Sequence, residues 1–377
     1  MGSPEAPSGP TAPSGKPTPE GVEVEGFAIE RLVGSGGSGT VYAARDEVLE
    51  INVALKVVQG LEGTHLSRFE REAELHTQLD HPGIVRAYRW GREGAKGWIA
   101  FELLDGADLS RYVRTELSVE HRLGLLAQVA RALHYGHEQG VIHRDIKPAN
   151  IFLASDGRVL LLDFGVAKLP DKPLTATGRL VGTPAYMAPE YILETPVDHR
   201  ADVFGLGVVA FQLLTGSRPW VANEAHTLLV RICTTPAARF EDRVDAAPVP
   251  ISPEVVPAMA AVIHRAISHD PKRRQASAAE LANDFETLLS GGFDDVTATR
   301  QRPETAAADR LAWARARAAR IQAEAQRATD IPDSTRSDAT RAMELTATSN
   351  RAFWMGLVGL LAGAVVVLLV IVLAGLM

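Results

Sequence analysis

His143-Arg144-Asp145-Ile146-Lys147-Pro148-Ala149-Asn150, with Asp163-Phe164-Gly165 beginning thirteen residues after the asparagine, is the stretch that decides the fold. It sets a carboxylate, an ammonium and two hard oxygen donors on two loops close in sequence. The apolar run Val159–Leu162 leads directly into Asp163, so this acid follows a buried strand and is not a surface turn cap. A carboxylate within hydrogen-bond reach of a hydroxyl can accept its proton, which makes Asp145 the candidate base. Asn150 and Asp163 offer oxygens of the kind that hold a hard divalent cation.

Two further signals lie upstream in a fixed order. Val33-Gly34-Ser35-Gly36-Gly37-Ser38-Gly39-Thr40-Val41 fits the pattern G-x-G-x-x-G-x-V. Without side chains at Gly34, Gly36 and Gly39, a hairpin backbone can close over phosphates with its N–H groups turned towards the oxygens. Strand-like runs flank this loop on both sides and no helix follows it, which argues against a dinucleotide-binding turn. Val53-Ala54-Leu55-Lys56 then places a lysine inside an apolar strand, where an ammonium needs a partner. Together the four motifs suit phosphoryl transfer.

With these motifs in place, residues from about Phe27 to Leu289, roughly 70% of the chain, resemble a eukaryotic-type (Hanks-type) serine/threonine protein kinase of the bacterial receptor-like group. The resemblance implies an α+β fold of two lobes, a small β-rich one and a large helical one. It implies ATP and Mg²⁺ as cofactors, with Mn²⁺ able to substitute, and proteins as substrates. Residues 33–41 would form the ATP lid, with Val33 and Val41 over the adenine. Lys56 would hold the α- and β-phosphates and pair with a helix glutamate. Of Glu70, Glu72 and Glu74, the family spacing selects Glu72 and leaves the other two solvated. Phe101-Glu102-Leu103-Leu104 resembles the hinge, with backbone groups of Glu102 and Leu104 binding the adenine edge and Phe101 as gatekeeper. Asp108 is placed for the ribose hydroxyls.

On the acceptor side the resemblance makes Asp145 the base and sets Lys147 against the transferred γ-phosphoryl. Lysine there, followed by Pro148, matches the serine/threonine class. Asn150 and Asp163 would hold two Mg²⁺ ions. Asp163–Glu190 reads as the activation segment. Thr175 and Thr177 are its candidate autophosphorylation sites, where phosphate would recruit Arg144, and Thr183 would shape the substrate pocket. Glu190 should form a buried ion pair with Arg274, and Asp202 should brace the catalytic loop.

The pattern along the chain is consistent with that architecture. Residues 1–22 are rich in Pro, Gly, Ser and Thr and read as a disordered arm. Strand-like runs follow at Phe27–Val33, Thr40–Arg45, Val53–Val58, Ile84–Trp90 and Gly97–Leu103, interrupted by one helical stretch, Ser67–Leu79. Helical periodicity dominates from Leu109. Val119–Gln139 carries one apolar stripe, and Val203–Leu214 is apolar almost all round and ends at Thr215-Gly216. The domain spans 23–290. Residues 291–352, dense in Ala, Arg and Gln, read as a partly helical juxtamembrane stalk.

Residues 353–377 contain no charge over 25 positions. At about 1.5 Å per residue they exceed the roughly 30 Å of a bilayer core, so a single C-terminal transmembrane helix is expected. Arg351 before it and nothing charged after it place the kinase domain on the cytoplasmic side of an inner or plasma membrane. The span closes the chain, so no external sensor domain is expected. Gly359 and Gly363 form one GxxxG, compatible with a homodimer.

A net charge of -7 gives no basic footprint and argues against nucleic acid as a partner. One cysteine, Cys233, excludes an intrachain disulfide and favours a reducing compartment. A pseudokinase scaffold would be expected to have lost Lys56, Asp145, Asn150 or Asp163, and all four are present. Gly182-Thr183-Pro184 and Ala188-Pro189-Glu190 speak against a small-molecule kinase.

Overall fold

In the computed structural model, residues 22–36, 39–164 and 184–293 are described. The expectations for the N-terminal arm, for Gly37, Ser38, Thr175, Thr177 and Thr183, and for the stalk and apolar C-terminal segment lie outside them.

The small lobe is built on β1 (Phe27–Gly36), β2 (Gly39–Asp46) and β3 (Ile51–Val58), followed by α1 (Gly63–Gln78), β4 (Ala87–Glu93) and β5 (Lys96–Glu102). The five strands form one antiparallel sheet in the order β1-β2-β3-β5-β4. Successive strand residues face opposite sides, and β3 shows why that matters. Val53, Leu55 and Val57 pack with Phe27, Tyr42 and Trp98 on one face. Ala54 and Val58 face the other side, where α1 supplies Phe69 and Ala73. Lys56 shares that second face, so the sheet aims the lysine beneath α1 towards the large lobe. Gly97 on β5 lets α1 approach, because a Cβ there would lie 2.5 Å from the Phe69 ring.

Several element boundaries differ from the sequence expectation, and two of them show why. α1 starts at Gly63 instead of Ser67, since Glu62 makes no side-chain cap that would mark the start, and Leu66 is held by packing on the small-lobe core. β4 starts at Ala87 instead of Ile84. Ile84 bridges Leu161 and the Val85 N–H bonds the Leu161 carbonyl, so this segment ties the two lobes together.

The large lobe begins with β6 (Gly106–Asp108), then α2 (Val119–Glu138), β7 (Ile151–Ala154) and β8 (Val159–Leu161). β6, β7 and β8 form a small antiparallel sheet. After it come α3 (Pro189–Ile192), α4 (Arg200–Thr215), α5 (Ala225–Thr234), α6 (Val256–Ala266) and α7 (Ala278–Leu289). α4 is buried on every side, as its all-round apolar sequence predicts, and Gly216 ends it with φ 72°, a left-handed cap. α2, α4, α6 and α7 share one core that also receives Ile146 and Phe164 from the two loops of interest. Arg122 is buried within α2 and bonds the backbone carbonyls of Leu117, Val113, Thr115 and Leu213. Cys233 is buried in α5.

Among the described residues no helix is long and apolar enough to cross a membrane.

Candidate active site

The catalytic loop, residues 143–150, is anchored from below by α4. Asp202, in the first turn of α4, accepts the His143 N–H through Oδ2 and the Arg144 N–H through Oδ1, both at 2.8 Å. His137, from the last turn of α2, meets the same Oδ2 at 2.8 Å. Burial alone would raise the Asp202 pKa. The His137 bond, the neighbouring histidines and the His143 N–H outweigh that and hold it below the usual carboxylate range. Asp202 thus braces the loop as expected. The brace holds Arg144 at φ 64°, a left-handed conformation that costs a non-glycine residue energy and turns the chain towards Asp145.

A second tie joins this loop to the Asp163 loop. His143 Nε2 lies 2.8 Å from the Leu162 carbonyl, which can only accept, so Nε2 carries the proton. Nδ1 is then the acceptor for the Asp145 N–H at 3.3 Å. The Leu162 N–H returns to the Asn150 carbonyl at 2.9 Å. Asp163 follows at φ 54°, again left-handed and non-glycine.

The side chains of interest converge around these loops. Asn150 Nδ2 donates to the Asp145 carbonyl and to Asp145 Oδ2, each at 2.8 Å. Lys147 Nζ reaches the same Oδ2 at 2.8 Å. Burial pulls the Lys147 ammonium pKa down, against the opposing charge of Asp163. From the small lobe, Lys56 Nζ lies 2.6 Å from Asp163 Oδ1. Burial works to raise the Asp163 pKa, but Lys56 prevails and holds it low, so the carboxylate is ionised.

Asn150 and Asp163 fit a magnesium site in donor chemistry. The Asn150 amide nitrogen is committed to Asp145, which leaves its oxygen to face a cation, and Asp163 brings an ionised carboxylate. Among the described residues no cluster of three or more His, Cys, Asp or Glu could hold a metal by itself. Two protein oxygens completed by substrate phosphates is the usual magnesium arrangement in such sites.

The remaining predicted residues take these positions. Gly34, Ser35 and Gly36 end β1, and Gly39, Thr40 and Val41 open β2, with Val33 exposed on β1. Gly39 is demanded by the fold, because φ is 127° and a Cβ would meet the Val57 carbonyl at 2.6 Å. Gly34 and Gly36 would meet nothing within 4 Å, so their bareness leaves clearance instead of relieving a clash. Glu102 closes β5 and its N–H bonds the Arg86 carbonyl at 2.9 Å. Leu104 follows in the connection to the large lobe. Asp108 Oδ1 accepts the Ser110 N–H at 2.9 Å, capping a short helical turn. Glu72 is half-buried on α1, between Phe69 and His76. Glu70 pairs with Arg92 at 2.9 Å, where simple solvation was expected. Glu190 and Arg274 form the expected buried fork, with two contacts of 2.7 Å.

Gly106, at the large-lobe end of the hinge connection, has φ 140° and would place a Cβ 2.2 Å from the Leu153 carbonyl. Gly106→Ala is therefore expected to cost at least about 2 kcal/mol, read as a lowered urea midpoint, together with weakened nucleotide binding. A variant as stable as the parent would contradict this.

Sequence reasoning missed one group. Phe101, His76, Phe164 and His143 form a continuous column, with ring centroids 5.1, 6.3 and 4.8 Å apart along it. His76 is 1% exposed and neither ring nitrogen has a hydrogen-bond partner. Gly136 on α2 makes room for the column, since a Cβ there would lie 2.5 Å from the Phe164 ring. The available signal was that His76 continues the Phe69–Ala73 stripe, and that Gly136 interrupts a helical pattern.

Burial pushes the His76 pKa down to about 4 from an ordinary 6.5. The unfolded chain therefore binds a proton between those values that the folded protein refuses. Stability on this account is complete above pH 6.5, falls as pH drops towards 4 and levels off below that. Compared with His76→Leu, the parent should lose on the order of 3 kcal/mol more between pH 7 and pH 4. Parallel pH–stability curves from chemical denaturation would refute it.

This geometry has the composition of a protein kinase active site, and the chain belongs to that family: residues 27–285 match the protein kinase domain. Serine/threonine-protein kinase PknJ of Mycobacterium tuberculosis is 41% identical over 281 residues, covering 72% of this chain and 46% of PknJ. Serine/threonine-protein kinase PknF of the same organism is 36% identical over 303 residues, 77% of this chain and 62% of PknF. This chain therefore spans about half to somewhat under two thirds of the length of these relatives. The crystal structure of the M. tuberculosis PknI kinase domain covers 72% of this chain at 28% identity, with a TM-score of 0.54.

Proposed function

We propose that this protein is a membrane-anchored serine/threonine kinase that transfers the γ-phosphoryl group of ATP to hydroxyls of proteins. The observation that carries the reading is the convergence of Asp145, Lys147, Asn150 and the Lys56–Asp163 pair on loops braced by Asp202. Asp145 orients the acceptor hydroxyl and takes its proton. Lys147, two residues on, neutralises charge on the group in transit. Lys56 positions the phosphates, and the backbone of Glu102 and Leu104 receives the adenine. Asn150 and Asp163 would hold Mg²⁺, which would supply positive charge against the phosphates. A small depression lined by Arg144, Ile146, Tyr186, Met187, Ala188 and Tyr191 lies beside the loop that carries Asp145. The relatives' names as serine/threonine-protein kinases support the choice of acceptor.

Three finer parts of the reading rest on sequence. The uncharged segment 353–377 anchors the protein, with the kinase domain cytoplasmic. Gly359 and Gly363 are compatible with close packing of two spans. Phosphate on Thr175 or Thr177 activates by engaging Arg144, which lies exposed beside the depression.

The test is to incubate the purified full chain with γ-labelled ATP, Mg²⁺ and a generic basic protein. Label on the protein is expected, and its absence would overturn the kinase reading. Mass spectrometry should find phosphate on Thr175 or Thr177, and a chain lacking 353–377 should move from the membrane to the soluble fraction. Unmodified threonines, or a truncated chain that stays with the membrane, would remove the corresponding part.

A further inference from the structure

The turn between β7 and β8 grips the connection between the lobes at both ends. That connection, residues 103–105, joins β5 to β6. At its near end Arg158 places Nη2 2.7 Å from Glu102 Oε1 and Nη1 3.3 Å from Glu102 Oε2, a fork on the last residue of β5. The Arg158 Nε is held by Asp156 Oδ2 at 2.7 Å, so the guanidinium is pinned between two carboxylates. At the far end the Ser155 N–H donates to the Asp105 carbonyl at 2.9 Å.

The other end of the same hairpin reaches the chemistry. β7 starts at Ile151, directly after Asn150, and β8 ends at Leu161, two residues before Asp163. The β7 and β8 ladder is paired from Ile151↔Leu161 to Leu153↔Val159, which ties the turn to the base of the hairpin. It thus carries both candidate metal ligands at its base and the hinge at its turn. A contact between the Arg158 and Glu102 side chains alone would do little for stability. Arg158 is 41% exposed, and exposed ion pairs contribute little to stability. Its value lies in fixing one backbone segment against another.

We propose that Arg158 is a positioning residue for nucleotide binding: it sets the backbone of Glu102 and Leu104 at a fixed distance from Asn150 and Asp163, so that the base and the phosphates are gripped together. This rests on the reading of the cleft as an ATP site. Asp156 holds the guanidinium in its fork, and the Ser155–Asp105 bond keeps the turn in register.

The experiment uses the purified full chain and measures ATP KM, kcat and the KM for a protein substrate, with ADP–Mg²⁺ affinity determined directly. Arg158→Ala should raise ATP KM and weaken ADP about threefold to tenfold, with kcat and the protein-substrate KM within twofold and an unchanged melting temperature. Arg158→Lys, which keeps charge but loses the fork, should fall between. Arg131→Ala, which removes a comparable surface fork to Glu286 far from the hinge, should leave all values in place. Unchanged ATP KM and ADP affinity in Arg158→Ala would overturn the proposal, as would a loss that tracks a lowered melting temperature. If the parent chain transfers no phosphate, the functional reading falls, while the ADP measurement still decides the role of Arg158.

Discussion

Asp145→Asn is expected to lower kcat by about 10²–10⁴-fold, the usual worth of a positioned general base, while leaving fold and nucleotide affinity in place. The substitution keeps shape and replaces an acceptor of protons with a group that has no such capacity. Asp145 Oδ2 currently takes two donors, Asn150 Nδ2 and Lys147 Nζ. An amide oxygen can still meet both, so the loop should keep its geometry and the loss should appear in kcat. ATP KM should stay near the parent value, because the groups assigned to the nucleotide are Lys56, Asp163, Asn150 and the hinge backbone. A variant with a kcat close to the parent's would mean that Asp145 does not handle the proton.

The second large effect is on stability. Arg274→Ala is expected to cost about 3–5 kcal/mol, the range for breaking a buried ion pair from one side. Arg274 is 2% exposed and Glu190 5%, so the orphaned carboxylate could not be rescued by water. The guanidinium also lies over the Phe204 ring, 4.9 Å from its centroid, and bonds the carbonyls of Ser268 and Arg200. Removing it therefore empties a packed site as well as a charged one. Replacing both partners together, Glu190→Leu with Arg274→Met, should recover much of the loss, since two apolar groups of similar volume carry no desolvation penalty. Chemical denaturation measures both. An Arg274→Ala variant within 1 kcal/mol of the parent would contradict the account.

What could be read in the sequence was whatever depends on a local pattern. The glycine loop, the lysine strand, the catalytic loop and Asp163 are each contiguous, and the strand and helix periods around them place each on the right element. The Glu190–Arg274 pair spans 84 residues and was legible only through family resemblance, because neither residue carries a local mark of its partner. The Lys56–Asp163 contact bridges 107 positions and the two lobes. The aromatic column brings together β5, α1 and two loops; the Phe69–Ala73 stripe that His76 continues marks it as buried, but not that two phenyl rings will seal it. Arg158 was equally silent: in sequence it is one charged residue in a Ser-Asp-Gly-Arg turn, and its importance arises only when the turn folds back onto Glu102. Element starts slipped where tertiary packing, not capping, sets them, as at Gly63 and Ala87.

The most direct test of the central claim is phosphoamino-acid analysis of a protein substrate labelled by the full chain, with Asp145→Asn run in parallel at saturating ATP and Mg²⁺. Label on phosphoserine or phosphothreonine that falls by at least about a hundredfold in the variant is the predicted result. Label confined to tyrosine, or equal label from parent and variant, would contradict it.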